Sequence, residues 1–163
     1  MKSVRFASLL ALAPMLALAA CGKSGEDEGA KPSTAAVETA PGLAVTGGKL
    51  VLPAVSGNPA GVYFTLANNG DKPVVLAAVD VAGAKMAMLH ETKQEGGHST
   101  MAMLENVAVE AKGSVAFAPG GKHVMVEGLP EGLKAGGSIE MTLTFASGDK
   151  LSAPLAIEAP GGM

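Results

Sequence analysis

The chain has 163 residues, a formal net charge of −3 and a single cysteine. This length suits one domain with a buried core, and one cysteine rules out an intrachain disulfide. A slightly acidic chain lacks the clustered Lys and Arg that phosphate binding requires, so the composition excludes nucleic acid as a partner. Glycine (22 residues) and proline (10 residues) are frequent, which favours short strands and turns over helices.

The first twenty residues have the pattern of a secretory signal. Two basic residues precede an uncharged apolar run over residues 6–20, which is shorter than the roughly 20 residues of a membrane-spanning helix. The run ends in Leu18-Ala19-Ala20-Cys21, which resembles the cleavage box of bacterial lipoproteins. The alternative is an ordinary signal peptide that leaves Cys21 as a free thiol. We predict a signal peptide over 1–20 and lipidation of Cys21, because the only cysteine lies where the box requires it.

Residues 21–42 consist mainly of Gly, Ser, Pro, Ala and charged residues. Such a stretch cannot bury enough apolar surface to offset the entropy of ordering it, so we predict a flexible tether. A lipid at one end of a tether indicates a domain held in the periplasm or cell envelope. Gly22, rather than Asp, follows the cysteine, which favours the outer membrane if the cell is Gram-negative.

The pattern over residues 43–160 predicts a single all-β domain. Turn signals such as Asn69-Gly70 recur at the spacing of a β-sandwich, and no amphipathic helical period is present. Residues 139–145 alternate strictly between apolar and polar side chains, as a half-buried strand does. The predicted strands cover residues 61–67, 74–81, 85–91, 100–106, 114–118, 123–127, 139–145 and 150–158.

All three histidines and five methionines lie between residues 86 and 125. The residues Glu95-Gly96-Gly97 predict a hairpin tip, which would make the strands on either side antiparallel neighbours. Because side chains alternate along a strand, residues two apart project from the same face. Three such groups are expected: Met86, Met88 and His90; Met101 and Met103; His123 and Met125.

Packing offers a simpler explanation for part of this cluster. A methionine on an alternating strand is most often core filler, so Met86, Met88 and Met141 are expected in the core or at its rim. His98, near the hairpin tip, fits a solvated loop residue as well as a docking ligand. Core packing does not explain a His-x-Met pair directly after the turn over residues 119–122.

The chemistry of these donors selects the metal. Thioethers favour Cu(I), whereas Zn²⁺ prefers thiolate, imidazole and carboxylate, and Ca²⁺ and Mg²⁺ prefer oxygen. Two neutral imidazoles with two thioethers therefore suit a soft monovalent ion. A blue-copper electron-transfer centre and a thiol-based reductase both require a cysteine thiolate, and a lipidated Cys21 would leave none.

The spacing of the donors is similar to the signature of a known family. The order His90, ten residues, Met101, twenty-one residues, His123, one residue, Met125 resembles the H-x10-M-x21-H-x-M motif of the periplasmic copper chaperone family PCu(A)C, also written PCuAC. The resemblance extends over residues 45–158. Further similar segments are residues 60–70, 89–92, 119–125, 127–129 and 141–145.

The resemblance implies a cupredoxin-like Greek-key β-sandwich that binds Cu(I) through His90, Met101, His123 and Met125. It implies a metallochaperone, not an enzyme, that delivers copper to the Cu(A) site of cytochrome c oxidase. The implied partners are the oxidase subunit II and Sco-type thiol proteins. Candidate auxiliary ligands are Met86, Met88, Met103 and His98.

Two alternatives to delivery stay open at this point. A copper-buffering lipoprotein would use the same site to sequester copper without a dedicated acceptor. A structural or adhesive lipoprotein would bind no metal. An enzyme is not expected, because no nucleophile–base motif stands out and the proposed donors leave no position for an activated water.

Overall fold

The structure, a computed structural model, describes residues 40–161. The predicted signal peptide, the predicted lipidation of Cys21 and residues 21–39 of the predicted tether lie outside the described residues. The described part of the chain contains ten strands and no α-helix, and so no helix there could cross a membrane. The strands are β1 Leu43–Val51, β2 Ala60–Asn68, β3 Val74–Val81, β4 Met86–Glu95, β5 His98–Met103, β6 Val107–Val109, β7 Ser114–Phe117, β8 Lys122–Glu127, β9 Ser138–Phe145 and β10 Lys150–Glu158.

The strands follow one hydrogen-bonded path in the order β5-β4-β8-β2-β1-β10-β9-β3-β6, with β7 also paired to β2. All of these pairs are antiparallel except β1 with β10. Strands β3 and β4 are far apart along this path but contact each other, so the path folds over a shared core. The all-β prediction is confirmed.

Two strands agree with the predicted bounds and two were missed. Strands β3 and β10 begin and end at the predicted residues. Strand β1 was not predicted because a bulge between Thr46 and Lys49, with Gly47 at φ 63°, interrupts its alternation. Strand β6 has three residues, too few to show a period. Strand β4 runs four residues further than expected, to Glu95, because its pairing with β5 continues to the hairpin tip.

The core is built from the inward-facing residues of alternating strands. Val62 of β2 and Val124 of β8 are fully buried, and Leu89 of β4 is 5% exposed, so these three strands turn the same face to the core. Met141 is also fully buried, as expected. The expectation that Met86 packs in the core or at its rim is wrong: its side chain is 53% exposed, because it projects from the other face of β4.

Asn68 is the one buried polar residue that joins several loops. Its Nδ2 lies within 3.2 Å of the carbonyl oxygens of Lys72, Val109 and Glu110, and its Oδ1 accepts from the Gly70 N–H at 3.0 Å. The side chain is 1% exposed, so these bonds replace the water it loses on burial. Asn68 therefore connects the turn after β2 to β6.

Candidate metal centre

Strand β4 lies between β5 and β8 and is antiparallel to both. His90 lies directly opposite His123 on β8 and directly opposite Met103 on β5. Directly opposed residues share a face, with Cβ atoms about 4.5–5.5 Å apart. Three strands thus bring two imidazoles and a thioether into one row across the sheet.

Two further methionines flank this row. Met101 lies opposite Thr92, two residues after His90, and Met125 lies opposite Met88, two residues before it. Both are therefore diagonal neighbours of His90, at about 7–8 Å, which long side chains can bridge. The predicted ligands His90, Met101, His123 and Met125 all project from one face.

This donor face points away from the core. Its residues alternate with Leu89 and Val124, which are buried on the other side of the sheet. The edge-strand thioethers are open to solvent, with Met101 54% and Met103 68% exposed, whereas His123 is only 8% exposed. The face therefore combines sheltered imidazoles with accessible sulfur atoms.

His90 holds the most unusual polar atoms of the described residues. Both ring nitrogens are buried, and neither has a hydrogen-bond partner among residues 40–161. An unpaired buried polar atom typically costs about 1–3 kcal/mol, so packing alone does not favour a histidine here. Its ring centroid lies 5.9 Å from that of His123, with the planes inclined by 50°.

The surroundings of His90 keep its ring neutral. Burial lowers its pKa below the ordinary value, nearby His123 lowers it further, and Glu127 opposes both effects. A neutral imidazole retains a lone pair on one nitrogen. At neutral pH His90 is therefore ready to bind a cation.

His123 is oriented by the backbone of the preceding turn. Its Nδ1 lies 3.0 Å from the Gly121 carbonyl oxygen. A carbonyl only accepts, so Nδ1–H donates and the lone pair of the neutral ring lies on Nε2. The same carbonyl accepts the Thr92 N–H, which ties the turn to β4. Contacts of this kind commonly fix the orientation of metal-binding histidines.

Tyr63 forms the side of the site that faces β2. Its ring centroid is 6.5 Å from that of His123. A Cβ placed on Gly61 would lie 2.7 Å from the Tyr63 hydroxyl, so only glycine lets the ring lie over this strand. Gly61 is in turn the cross-strand partner of Met125. Tyr63 was not among the predicted site residues, although the spacing Gly61-x-Tyr63 on one strand face indicates this packing.

An ion pair fixes the register beside the two histidines. Glu91 lies opposite Lys122, whose Nζ is 2.6 Å from the carboxylate. The hydrogen bond from Lys122 is the main reason that the pKa of Glu91 is lowered. Because Glu91 is adjacent to His90 and Lys122 to His123, this pair aligns the two imidazoles. Neither Glu91 nor Lys122 was among the predicted site residues.

His98 is separated from the other candidate donors. It pairs with Glu95 at the tip of the β4–β5 hairpin, and strand alternation places it on the opposite face from Met101 and Met103. The structure therefore does not bring His98 to the donor face, and its inclusion as an auxiliary ligand was wrong. Met86, Met88 and Met103 do lie on that face.

The donor set fits a soft monovalent cation. Among residues 40–161 there is no group of three or more His, Cys, Asp and Glu residues that could hold a metal ion. What the face offers instead is two imidazoles surrounded by thioethers, which matches the preference of Cu(I) rather than that of Zn²⁺, Ca²⁺ or Mg²⁺.

Comparison of the sequence with known proteins identifies a lipoprotein family. Residues 34–157 match the family described as "Putative lipoprotein LpqE-like". A curated relative, "Putative lipoprotein Lxx21020" from Leifsonia xyli subsp. xyli (strain CTCB07), is 32% identical over 91 residues, which are 55% of this chain. The match spans 54% of that relative, about half of its length.

Solved structures with the same fold are PCuAC domains. The apo PCuAC domain from PmoF1 is 30% identical, with a TM-score of 0.60 over 73% of this chain and 95% of that one. The copper-bound PCuAC domain from PmoF2 is 24% identical, with a TM-score of 0.61 over 73% and 94% of the two chains. Cu(I)-bound DR1885 from Deinococcus radiodurans is 27% identical, with a TM-score of 0.57 over 71% and 76%.

These likenesses confirm the predicted β-sandwich and the resemblance to PCu(A)C proteins. The family description agrees with a lipid-anchored protein of the cell envelope. This chain belongs to the LpqE-like lipoprotein family, and its described residues form a PCuAC-type domain.

Proposed function

We propose that this protein is an extracytoplasmic Cu(I) carrier. The observation that supports this best is His90, whose two buried nitrogens lack partners among the described residues, beside His123 on a face of thioethers. A bound cation would supply the missing partner. Two of the solved structures with this fold hold copper, one of them as Cu(I).

The proposed ligands are His90, Met101, His123 and Met125. His90 is central, because one ligand lies directly opposite it and the other two are its diagonal neighbours. All four donors are uncharged when the imidazoles are neutral, so the site favours a monovalent over a divalent ion. No proton transfer or bond cleavage is required of these residues, which is why we propose a carrier and not an enzyme.

The uneven exposure of the donors suggests how copper leaves. Met101 is 54% exposed on an edge strand, whereas His123 is 8% exposed and held by a backbone hydrogen bond. An acceptor protein could replace the exposed thioether first, while the imidazoles still hold the ion. Cu(I) would then pass between proteins by ligand exchange, without release into solution and without a change of oxidation state.

We propose the Cu(A) site of cytochrome c oxidase as the destination, with the oxidase subunit II and Sco-type proteins as the copper-accepting partners. A deletion strain tests this. Loss of oxidase assembly at low copper would support delivery, whereas sensitivity only at high copper would support a buffering lipoprotein instead.

The proposed location is the cell envelope, through a lipid on Cys21. In a Gram-negative cell, we expect the outer membrane. A Cys21→Ser variant should move from the membrane fraction to the soluble fraction of the envelope. A variant that stays membrane-bound would contradict lipid anchoring at this residue.

A Cu(I) titration against a competing chelator under reductant tests the ligand set. The Met101→Leu, Met125→Leu double variant should lose at least about tenfold in affinity, or about 1.4 kcal/mol. Met141→Leu is the matched control, because it removes a thioether that is fully buried in the core. Full affinity in the double variant would overturn the assignment. X-ray absorption of the one-to-one complex would count nitrogen and sulfur ligands directly.

A further inference from the structure

Three methionines on the donor face have no role in the proposed site. They are Met86, Met88 and Met103. Of the four large hydrophobic residues that the described chain leaves exposed, three are methionines of this face: Met86, Met101 and Met103. Burying a methionine side chain would contribute about 1.5–3 kcal/mol. These exposed methionines do not gain that energy, so packing does not explain why they occupy this face.

The register places Met86 next to Met88, whereas Met103 lies opposite His90, four residues and about 13 Å along β4 from Met86, so Met86 and Met103 cannot hold the same ion. Met86 and Met88 are two residues apart on β4 and so share a face. Met103 lies opposite His90, which makes it the diagonal neighbour of Met88 across the β4–β5 pair. The pairing continues past Met103, because the Leu104 N–H donates to the Leu89 carbonyl at 2.8 Å. Diagonal neighbours are about 7–8 Å apart, a distance that two methionine side chains can span.

A carboxylate lies at the same end of the face. Glu127 is the cross-strand partner of Met86 and is exposed. Its negative charge would offset the single positive charge of a bound ion, while the thioethers would supply the soft donors.

We propose that Met86 and Met88, with the carboxylate of Glu127 beside them, form a second position for Cu(I), next to the first and weaker than it. This inference rests on the proposed function and extends it. The second position lacks an imidazole and is more exposed, so it would bind and release Cu(I) faster. Met88 is also the cross-strand partner of Met125, so an ion could move from one position to the other by exchange of neighbouring ligands.

Native mass spectrometry of the full chain, loaded with Cu(I) under reductant, tests the proposal. Wild-type protein should bind two ions, the second at least about tenfold more weakly. The Met86→Leu, Met88→Leu double variant should bind one, with the affinity of the first unchanged. Met141→Leu, which removes a core thioether, should still bind two. The sulfur-to-nitrogen ratio from X-ray absorption should rise when the second equivalent is added.

The outcomes separate the two proposals. A wild-type chain that binds one ion tightly and no second would overturn the second position and leave the carrier function standing. A Met86→Leu, Met88→Leu variant that still binds two ions would overturn the assignment to these methionines. A wild-type chain that binds no Cu(I) would overturn both.

Discussion

His90 on β4 lies directly opposite His123 on β8, with ring centroids 5.9 Å apart, on the face of the sheet that points away from the core. The neighbouring pair, Leu89 and Val124, faces the other way and is buried. The core therefore holds the strands in register, and this register brings the two imidazoles together. The Glu91–Lys122 ion pair reinforces the same alignment.

The first prediction concerns the cost of keeping His90. His90→Leu should abolish tight Cu(I) binding, yet the apo protein should be as stable as wild type or more stable by about 1 kcal/mol. The reason is that the substitution removes two buried nitrogens without partners among the described residues. Urea unfolding of the apo proteins measures this. Leu89→Ala, the adjacent position on the core face, should instead lose about 2–5 kcal/mol. A large loss of stability in His90→Leu would contradict the prediction.

The second prediction is a pH dependence of the apo protein. The folded state lowers the pKa of His90 below 6.5, the ordinary value. Above pH 6.5 the His90 imidazole is neutral in both the folded and the unfolded protein. As the pH falls below 6.5, His90 takes up a proton in the unfolded chain first. The free energy of unfolding is therefore independent of His90 protonation above pH 6.5 and decreases as the pH falls from 6.5 toward the folded pKa.

Urea unfolding at a series of pH values between about 5 and 8 would measure this slope. His90→Gln, which keeps a polar side chain but cannot titrate, should flatten it. Cu(I) affinity should fall over the same acidic range, because protons compete for the imidazole lone pair. Stability that increases as wild-type protein is acidified from pH 6.5 would contradict the sign.

The third prediction concerns the contact between Gly61 and Tyr63. In Gly61→Ala the new Cβ would lie 2.7 Å from the Tyr63 hydroxyl, so the ring must move away from its place near His123. We expect Cu(I) to dissociate about fivefold faster, equivalent to about 1 kcal/mol, as measured by capture with a chelator. Adding Tyr63→Phe to the alanine variant should restore part of the wild-type rate, because the nearest clashing atom is gone. No change in rate would show that Tyr63 does not shape the site.

The fourth prediction concerns Asn68, whose side-chain hydrogen bonds involve none of the proposed copper ligands. Asn68→Ala should lower the free energy of unfolding by roughly 2–4 kcal/mol, because it leaves the buried carbonyl of Val109 and the partly buried carbonyls of Lys72 and Glu110 without this donor. Exposed Asn69 is the matched control, and Asn69→Ala should change stability by no more than about 0.5 kcal/mol. Cu(I) affinity per folded molecule should be unchanged in both, which distinguishes a structural residue from a ligand.

Much of the fold could be predicted from local patterns. Strands β3 and β10 were predicted to the residue, β3 from a continuous apolar run and β10 from a segment whose residues alternate between buried and more exposed positions. Strand β1 was missed because a bulge at Gly47 breaks the period, and β6 because three residues carry no period. The misassignment of Met86 to the core or its rim has a related cause, since alternation groups side chains by face but does not say which face is buried.

The amino-acid sequence alone determined the composition from which the site is built: an all-β chain, three histidines within residues 86–125, a set of methionines at alternate positions and a single cysteine at position 21. Only the tertiary structure decided that β4 lies between β5 and β8, so that Met103 faces His90, Met88 faces Met125 and His98 projects elsewhere. The burial of the His90 nitrogens and the place of Tyr63 beside His123 also came from the structure alone. The physical reason is that local periodicity sets the face on which a side chain lies, whereas its neighbours depend on pairing between strands distant in the chain.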